Sequence, residues 1–237
     1  MAPPLVMITG ASSGIGRALA LAFAREGHPL LLLARHMEPI AELRDHPATY
    51  AVADVADPDA VAAAMADGAG RHGPVECLVY NAGTADARAF GDVDPASYAR
   101  EIDTNLKGVL NCTKAVLAGM QARRSGTVIN MSSISDRKTS PAAVTYTATK
   151  HAVRALTESL RESEQRHGIR FINIAPGYIR TNIHAAMGIS FDEYCRMLGN
   201  PDFMSPEQLA DIVLYCWKLP QGICIRDLVV APTRTSF

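Results

Sequence analysis

One short stretch restricts the possible folds of this chain more than any other. An apolar run, Leu5–Thr9, leads without a break into Gly10-Ala11-Ser12-Ser13-Gly14-Ile15-Gly16, and that turn opens on the helix-forming run Arg17-Ala18-Leu19-Ala20-Leu21-Ala22. A strand, a glycine turn and a helix in this order make an anion site. The glycines permit a tight turn and close approach of a phosphate, while the helix start offers unpaired N–H groups and the positive end of its dipole. The spacing is G-x-x-x-G-x-G, which moves the first glycine outward relative to the G-x-G-x-x-G fingerprint. Gly10, Ser12, Ser13, Gly14, Ile15 and Gly16 are the first candidate nucleotide contacts.

The rest of the chain keeps the same rhythm. Short apolar runs at Leu5–Thr9, Leu30–Ala34, Thr49–Val52, Cys77–Tyr80, Thr127–Met131, Arg170–Ile174 and Leu228–Ala231 alternate with longer segments of helical period. Alternation of this kind predicts βαβ units and a parallel sheet. Most runs are continuously apolar, as expected of strands covered by helices on both faces. Helix ends are readable too. Asp94-Pro95 and Ser205-Pro206 each place a capping residue before a proline, and Gln208 completes a capping box. The stretch Tyr146 to His167 puts Val153, Leu156 and Leu160 on one face and stops at Gly168. Hydrophobic residues make up 48% of the 237, enough for a sizeable core, and no repeat or linker interrupts them. The expectation is one domain over 1–237: an α/β Rossmann fold with a doubly wound, seven-stranded parallel sheet and helices on both faces.

Beyond Gly16 the second strand closes on Ala34-Arg35-His36. An acidic residue at this spacing would bond the ribose 2′-hydroxyl of NAD, whereas an arginine pairs with a 2′-phosphate. Arg35 is present and the acid is not, and the hydroxyls of Ser12 and Ser13 are available beside it. The cofactor expected is NADP(H) in preference to NAD(H).

Tyr146 and Lys150 stand four apart in Tyr146-Thr147-Ala148-Thr149-Lys150, so a helix puts them on one face, one turn apart. An ammonium beside a phenol favours the phenolate and eases proton exchange. With TGASSGIG, Asn81-Ala82-Gly83, Asn105 in DTNLKG, Ser133 in NMSSIS and Pro176-Gly177 in order along the chain, the sequence strongly resembles the short-chain dehydrogenase/reductase family. The segment from Asp136 to Glu162 is similar to NADP-dependent members of broad carbonyl specificity.

That resemblance implies an oxidoreductase interconverting a carbonyl compound and its alcohol. Tyr146 would be the acid/base, Lys150 would lower the tyrosine pKa and bond the nicotinamide ribose, Ser133 would hydrogen-bond the substrate oxygen, and Asn105 would hold a water in a relay to Lys150. Asp54 and Val55 would contact adenine, with capping of the next helix as the alternative for Asp54. Asn81, Ala82 and Gly83 would flank the cofactor, and Pro176, Gly177, Ile179 and Thr181 would border the nicotinamide. Residues 181–203 would cover the substrate as a lid, with Ile183, Met187, Ile189, Phe191, Tyr194, Met197 and Leu198 as apolar candidates; ordinary core packing is the alternative. Arg180 and His184 read as exposed surface. Relatives imply a homodimer or homotetramer. A 3-oxoacyl thioester reductase of the same fold, and a non-catalytic NADP(H)-binding sensor or scaffold, stand as further readings. The chain departs from the family pattern at Tyr80, where a second asparagine is common, at Asp136, where glycine is frequent, at Ser13, where NADP users often have a basic residue, and in its APTRTSF ending.

Composition narrows the rest. With 23 basic and 24 acidic residues the formal net charge is −1, which argues against a nucleic-acid partner. Cys77, Cys112, Cys195, Cys216 and Cys224 form no CxxC pair and the seven histidines no HExxH, so no metal site is expected and the thiols read as free. The opening MAPPLVMITG lacks the layout of a signal peptide, and runs such as Pro29 to Ala34 fall far short of the roughly 18 residues of a membrane span. The expected protein is soluble and cytoplasmic, with a small-molecule partner and no membrane.

Overall fold

The structure, a computed structural model, describes residues 3–186 and 189–235. Its strands are β1 (Leu5–Thr9), β2 (Leu30–Ala34), β3 (Ala48–Val52), β4 (Val75–Tyr80), β5 (Gly126–Met131), β6 (Ile169–Pro176) and β7 (Asp227–Val230). They form one parallel sheet in the order β3-β2-β1-β4-β5-β6-β7. The order reverses between β1 and β4, and the crevice beyond their carboxyl ends is where such sheets bind ligands.

The helices are α1 (Gly14–Arg25), α2 (Pro58–His72), α3 (Pro95–Ile102), α4 (Gly108–Arg123), α5 (Val144–Glu164), α6 (Ile183–Ala186), α7 (Phe191–Met197) and α8 (Pro206–Lys218). Side chains alternate across the sheet. Val6, Ile8, Leu30 and Leu32 therefore pack with Phe23 of α1 and Leu209 and Val213 of α8. Leu5, Met7, Leu31 and Leu33 pack on the other face with Val61 of α2, Val109 and Val116 of α4 and Val153 of α5. Both faces are covered, which is why these strands read as unbroken apolar runs.

The expected caps form. Asp94 accepts from the Ser97 amide at 2.8 Å, and Ser205 and Gln208 exchange bonds across the start of α8 at 2.9 and 3.2 Å. Asp57 caps α2, accepting from the Asp59 and Ala60 amides. All seven expected strands appear with ends within two residues; flanking residues such as Val75, Gly126 and Ile169 join the ladder, and β7 stops at Val230, one residue short of the expected end. The expected helix from Tyr146 to His167 starts earlier, at Val144, and its last turn, Gln165–His167, tightens to a 3₁₀ turn before Gly168 at φ 68°. Between α3 and α4 the chain runs through a π-helical turn, Asp103–Lys107, that carries Asn105.

Candidate active site

The site is built at the carboxyl ends of β1, β4 and β5. Thr9 closes β1 fully buried, and its hydroxyl accepts the backbone N–H groups of Asn81 and Ala82, each at 3.0 Å. In return the Asn81 side chain donates to the carbonyls of Thr9 and Gly10 at 3.2 and 3.3 Å. These four bonds clamp the loop after β4 onto the first glycine. Gly10 has φ 64°, and a Cβ there would stand 2.9 Å from the Ala82 Cα. A Cβ on Gly16 would land on the Gly10 carbonyl oxygen and 2.7 Å from Asn81 Nδ2. The turn closes only without side chains at these two positions. Ser13 occupies the N-cap of α1 but its hydroxyl makes no capping bond, so the first N–H groups of the helix are left for an anion.

Beside this turn lies a groove of about 310 Å³. Gly10, Ser12, Ser13, Gly14 and Ile15 line it from the turn, Arg35 from the end of β2, Asp54 and Val55 from beyond β3, Asn81, Ala82 and Gly83 from beyond β4, and Thr181 from beyond β6. Four candidates stand behind the wall rather than on it. Gly16 is buried under the Gly10 carbonyl. Pro176 is the buried end of β6, Gly177 donates its N–H to the Val230 carbonyl at 2.7 Å, and Ile179 is buried and bridges to Met204. Asp54 does not cap α2; it accepts from the Ala56 amide at 2.9 Å within its own turn. The sequence reading missed His36, Thr104 and Asn182 on the groove wall, where Ile183, expected on the lid, also lies, and missed Thr9 as the clamp. Thr9 had a signal, as the one polar residue of an otherwise apolar strand. Arg35 is exposed at the rim and forms no ion pair among the described residues.

Lys150 and Tyr146 project from the first turns of α5. The Lys150 ammonium lies 5.5 Å from the centre of the Tyr146 ring and donates to the Met131 carbonyl at 2.9 Å. It is 5% exposed, and this burial brings it down to about 8, with Asp136 working the other way. Burial also pushes the Tyr146 phenol up from its ordinary value; the Ser133 hydroxyl opposes this, and the charges of Glu101 and Asp136 add to it. The lysine expected to lower the phenol is not among the influences resolved on it, and burial dominates instead.

Ser133 follows β5, and its hydroxyl accepts from the Ser135 amide at 3.1 Å, starting the 3₁₀ turn Ile134–Asp136. Asn105 is almost fully buried. Its side chain donates to the Thr84 carbonyl at 2.8 Å and to Thr149 Oγ1 at 3.2 Å, and accepts from the Thr84 amide at 2.9 Å. Thr149 in turn donates to the Tyr146 carbonyl at 2.7 Å. Asn105 thus acts as a clamp between the loop after β4 and α5. A Cβ on Gly83 would lie 3.5 Å from Asn105 Oδ1 and 3.9 Å from Lys150 Nζ, so the two groups face the same small gap.

Over this end lie α6 and α7. His184, Phe191, Tyr194 and Phe203 pack ring on ring with centres 5.3 to 6.4 Å apart, and Tyr178 joins at 6.0 Å from Phe203. His184 is half-buried among rings, not the plain surface group expected, because its Nδ1 is also tied to the Thr181 carbonyl at 3.1 Å. Arg180 is exposed, as expected, with its guanidinium 4.9 Å from the Phe191 ring centre. Burial raises the Tyr194 phenol to about 12, and Tyr146, Tyr178 and Cys195 add to the rise. Met187 lies outside the described residues, and Met197 points to solvent. Among the described residues there is no metal-binding cluster of His, Cys, Asp and Glu, and no helix long and apolar enough to cross a membrane.

Comparison with known proteins agrees with this architecture. Residues 4–189 match the sequence model of the short chain dehydrogenase family. Oxidoreductase UcpA of Escherichia coli (strain K12) is 42% identical over 181 residues, covering 74% of this chain and 69% of that protein. Among solved structures, the closed form of serine dehydrogenase complexed with NADP+ superposes with a TM-score of 0.91 at 28% identity, covering 98% of this chain and 96% of the other. A 3-oxoacyl-[acyl-carrier protein] reductase with bound NAD from Brucella melitensis gives 0.82 at 28% identity, covering 96% and 89%. By these matches the chain belongs to the short-chain dehydrogenase family of oxidoreductases, in keeping with its uncapped glycine turn beside a groove and its tyrosine–lysine pair on α5.

Proposed function

We propose that the protein is an NADP(H)-dependent oxidoreductase that interconverts a carbonyl compound and its alcohol, with Tyr146 exchanging the proton. The observation that carries this reading is that Gly83, on the wall of the groove, would put a Cβ 3.9 Å from Lys150 Nζ, so the Tyr146–Lys150 pair stands beside the groove that opens on the glycine turn. The residues fit a dinucleotide: glycine at 10 and 16 lets the turn close beside the groove, and α1 presents free N–H groups to a pyrophosphate. When bound, the nicotinamide supplies or accepts the hydride. The chain's own groups do the rest. Tyr146, protonated at neutral pH as a phenol ordinarily is, donates that proton to the developing alkoxide during reduction and takes it back during oxidation. The Ser133 hydroxyl orients the substrate oxygen and shares its charge. Lys150 holds a positive charge beside the phenol and reaches the ribose side of the cleft. Arg35, exposed and without an acidic partner, favours a 2′-phosphate, in keeping with NADP+ in the serine dehydrogenase. The aromatic lid would shut out water over an apolar substrate.

The test is nicotinamide oxidation against a panel of ketones, for wild type and Tyr146→Phe. Wild type should turn over at least one ketone, faster with NADPH than NADH. The variant should bind NADPH equally and lose about 10²- to 10⁴-fold in turnover. Absence of turnover with every carbonyl, despite tight NADPH binding, would leave a nucleotide-binding sensor. The likeness to the Brucella enzyme favours a second reading, a 3-oxoacyl thioester reductase. Carrier-bound substrates outpacing free ketones would select it.

A further inference from the structure

In an α-helix the N–H of Gly108 would bond the carbonyl four residues back, that of Thr104. The π turn Asp103–Lys107 shifts the pattern by one residue, and the Gly108 N–H bonds the Asp103 carbonyl instead. The Thr104 carbonyl thereby loses its helical donor, and a backbone acceptor away from water needs another. That donor comes from the sheet. Tyr80, the last residue of β4, is 2% exposed, and its hydroxyl donates to the Thr104 carbonyl. Burial pushes this phenol up from its ordinary value, so it stays a donor. Gly108 makes room for the contact. A Cβ there would land on the Tyr80 hydroxyl and stand 2.7 Å from Val55 Cγ2.

The residue that this contact governs is the next one. The Thr104 carbonyl and the Asn105 N–H lie in one peptide plane, so a donor that fixes the first fixes the backbone from which the Asn105 side chain leaves. That side chain has little freedom to spare. Its amide nitrogen donates to the Thr84 carbonyl at 2.8 Å and to Thr149 Oγ1 at 3.2 Å, and its oxygen accepts the Thr84 N–H at 2.9 Å. Thr84 follows Gly83 of the groove wall, and Thr149 stands between Tyr146 and Lys150 on α5. We propose that Tyr80 is a positioning residue: its hydroxyl takes the carbonyl that the π turn frees, and so aims Asn105 at the loop after β4 and at α5, beside the gap it shares with Lys150. Tyr80 is also where relatives commonly carry a second asparagine, a side chain with less reach than a phenol, so this seating belongs to this chain.

The consequence for turnover rests on the proposed reaction, but the seating of Asn105 is tested without it. In ¹⁵N-labelled, nucleotide-free protein the Asn105 side-chain amide, assigned by Asn105→Asp, should exchange its protons slowly. Tyr80→Phe removes the hydroxyl and keeps the ring; Asn105 should then exchange about tenfold faster, the worth of one buried hydrogen bond. Gly108→Ala, which crowds the hydroxyl off Thr104, should speed it by a similar factor. The double variant should add little to either, because both changes break the same bond. Additive losses, or Asn105 exchange unchanged in a folded Tyr80→Phe, overturn the proposal. Should neither variant fold, wild type decides. A slowly exchanging Tyr80 hydroxyl proton with a nuclear Overhauser contact to the Gly108 α-protons upholds the bond, and free exchange of that proton with water overturns it. Where turnover is found, kcat in Tyr80→Phe should fall about tenfold with KM for NADPH within about twofold, and a loss confined to KM overturns the positioning role. A wild type that binds NADPH without turning over any carbonyl overturns the proposed reaction instead and leaves the seating of Asn105 standing.

Discussion

Replacing Lys150 with methionine should make the nucleotide-free protein more stable at neutral pH while removing its activity. The side chain is 5% exposed, and burial brings its proton affinity from the ordinary 10.5 to about 8. At about 1.4 kcal/mol for each tenfold change in proton affinity, this gap costs the folded state about 3 kcal/mol. The sign follows from which state binds the proton more tightly. Below pH 8 both states are protonated and the full cost is present; between 8 and 10.5 the folded state sheds the proton first and the cost shrinks; above 10.5 it is gone. Methionine matches the lysine stem in length and leaves no charge to desolvate. Against this gain stands the lost bond to the Met131 carbonyl, about 1 kcal/mol. The net gain at pH 7 is about 2 kcal/mol, or roughly 4–8 °C in Tm for a chain of this size. At pH 10 it should fall to about zero. Thermal unfolding of wild type and Lys150→Met at both pH values, with turnover in parallel, checks this. A variant less stable than wild type at neutral pH, or a difference that ignores pH, would refute the claim that desolvation governs this lysine.

Other perturbations report on other parts of the site. Arg35→Ala should weaken NADPH binding by about 10- to 100-fold, the worth of charge-assisted bonds at an exposed rim, and leave NADH unchanged in calorimetric titration; equal losses would remove Arg35 from 2′-phosphate recognition. Gly16→Ala should abolish binding of both nucleotides, because its Cβ would collide with the Gly10 carbonyl; wild-type affinity in this variant would show that the turn can open. Arg170→Met should destabilise the fold by about 3 kcal/mol or more in urea, since it strips donors from the Trp217, Leu219 and Ile223 carbonyls. A loss under 1 kcal/mol, measured against the roughly 1–3 kcal/mol cost of each unsatisfied buried group, would mean that water replaces the guanidinium.

What was legible in the sequence is what local spacing encodes. Leu5–Thr9 followed by the glycine turn, the four-residue step from Tyr146 to Lys150, and the capping residues at Asp94 and Ser205 act over a few residues, so the order along the chain carries them directly. The sheet follows from runs such as Leu30–Ala34, whose lack of alternation already states that both faces are covered. Thr9 and His184 were harder to read because their partners, Asn81 and the rings of α7, come from distant segments.

The phenol of Tyr146 shows where such reading stops. Its spacing to Lys150 is local, and from that pair alone an eased ionisation follows. Yet its ionisation is set by a sum over the fold: its own burial first, opposed by the Ser133 hydroxyl, with Glu101 from α3 and Asp136 from the turn after β5 adding to the rise. Burial likewise weakens the hold of Lys150 on its proton, and that burial comes from strands and helices with no local relation to the tyrosine motif. The motif thus names the groups proposed to move the proton, while their ionisation is set by residues that no motif contains.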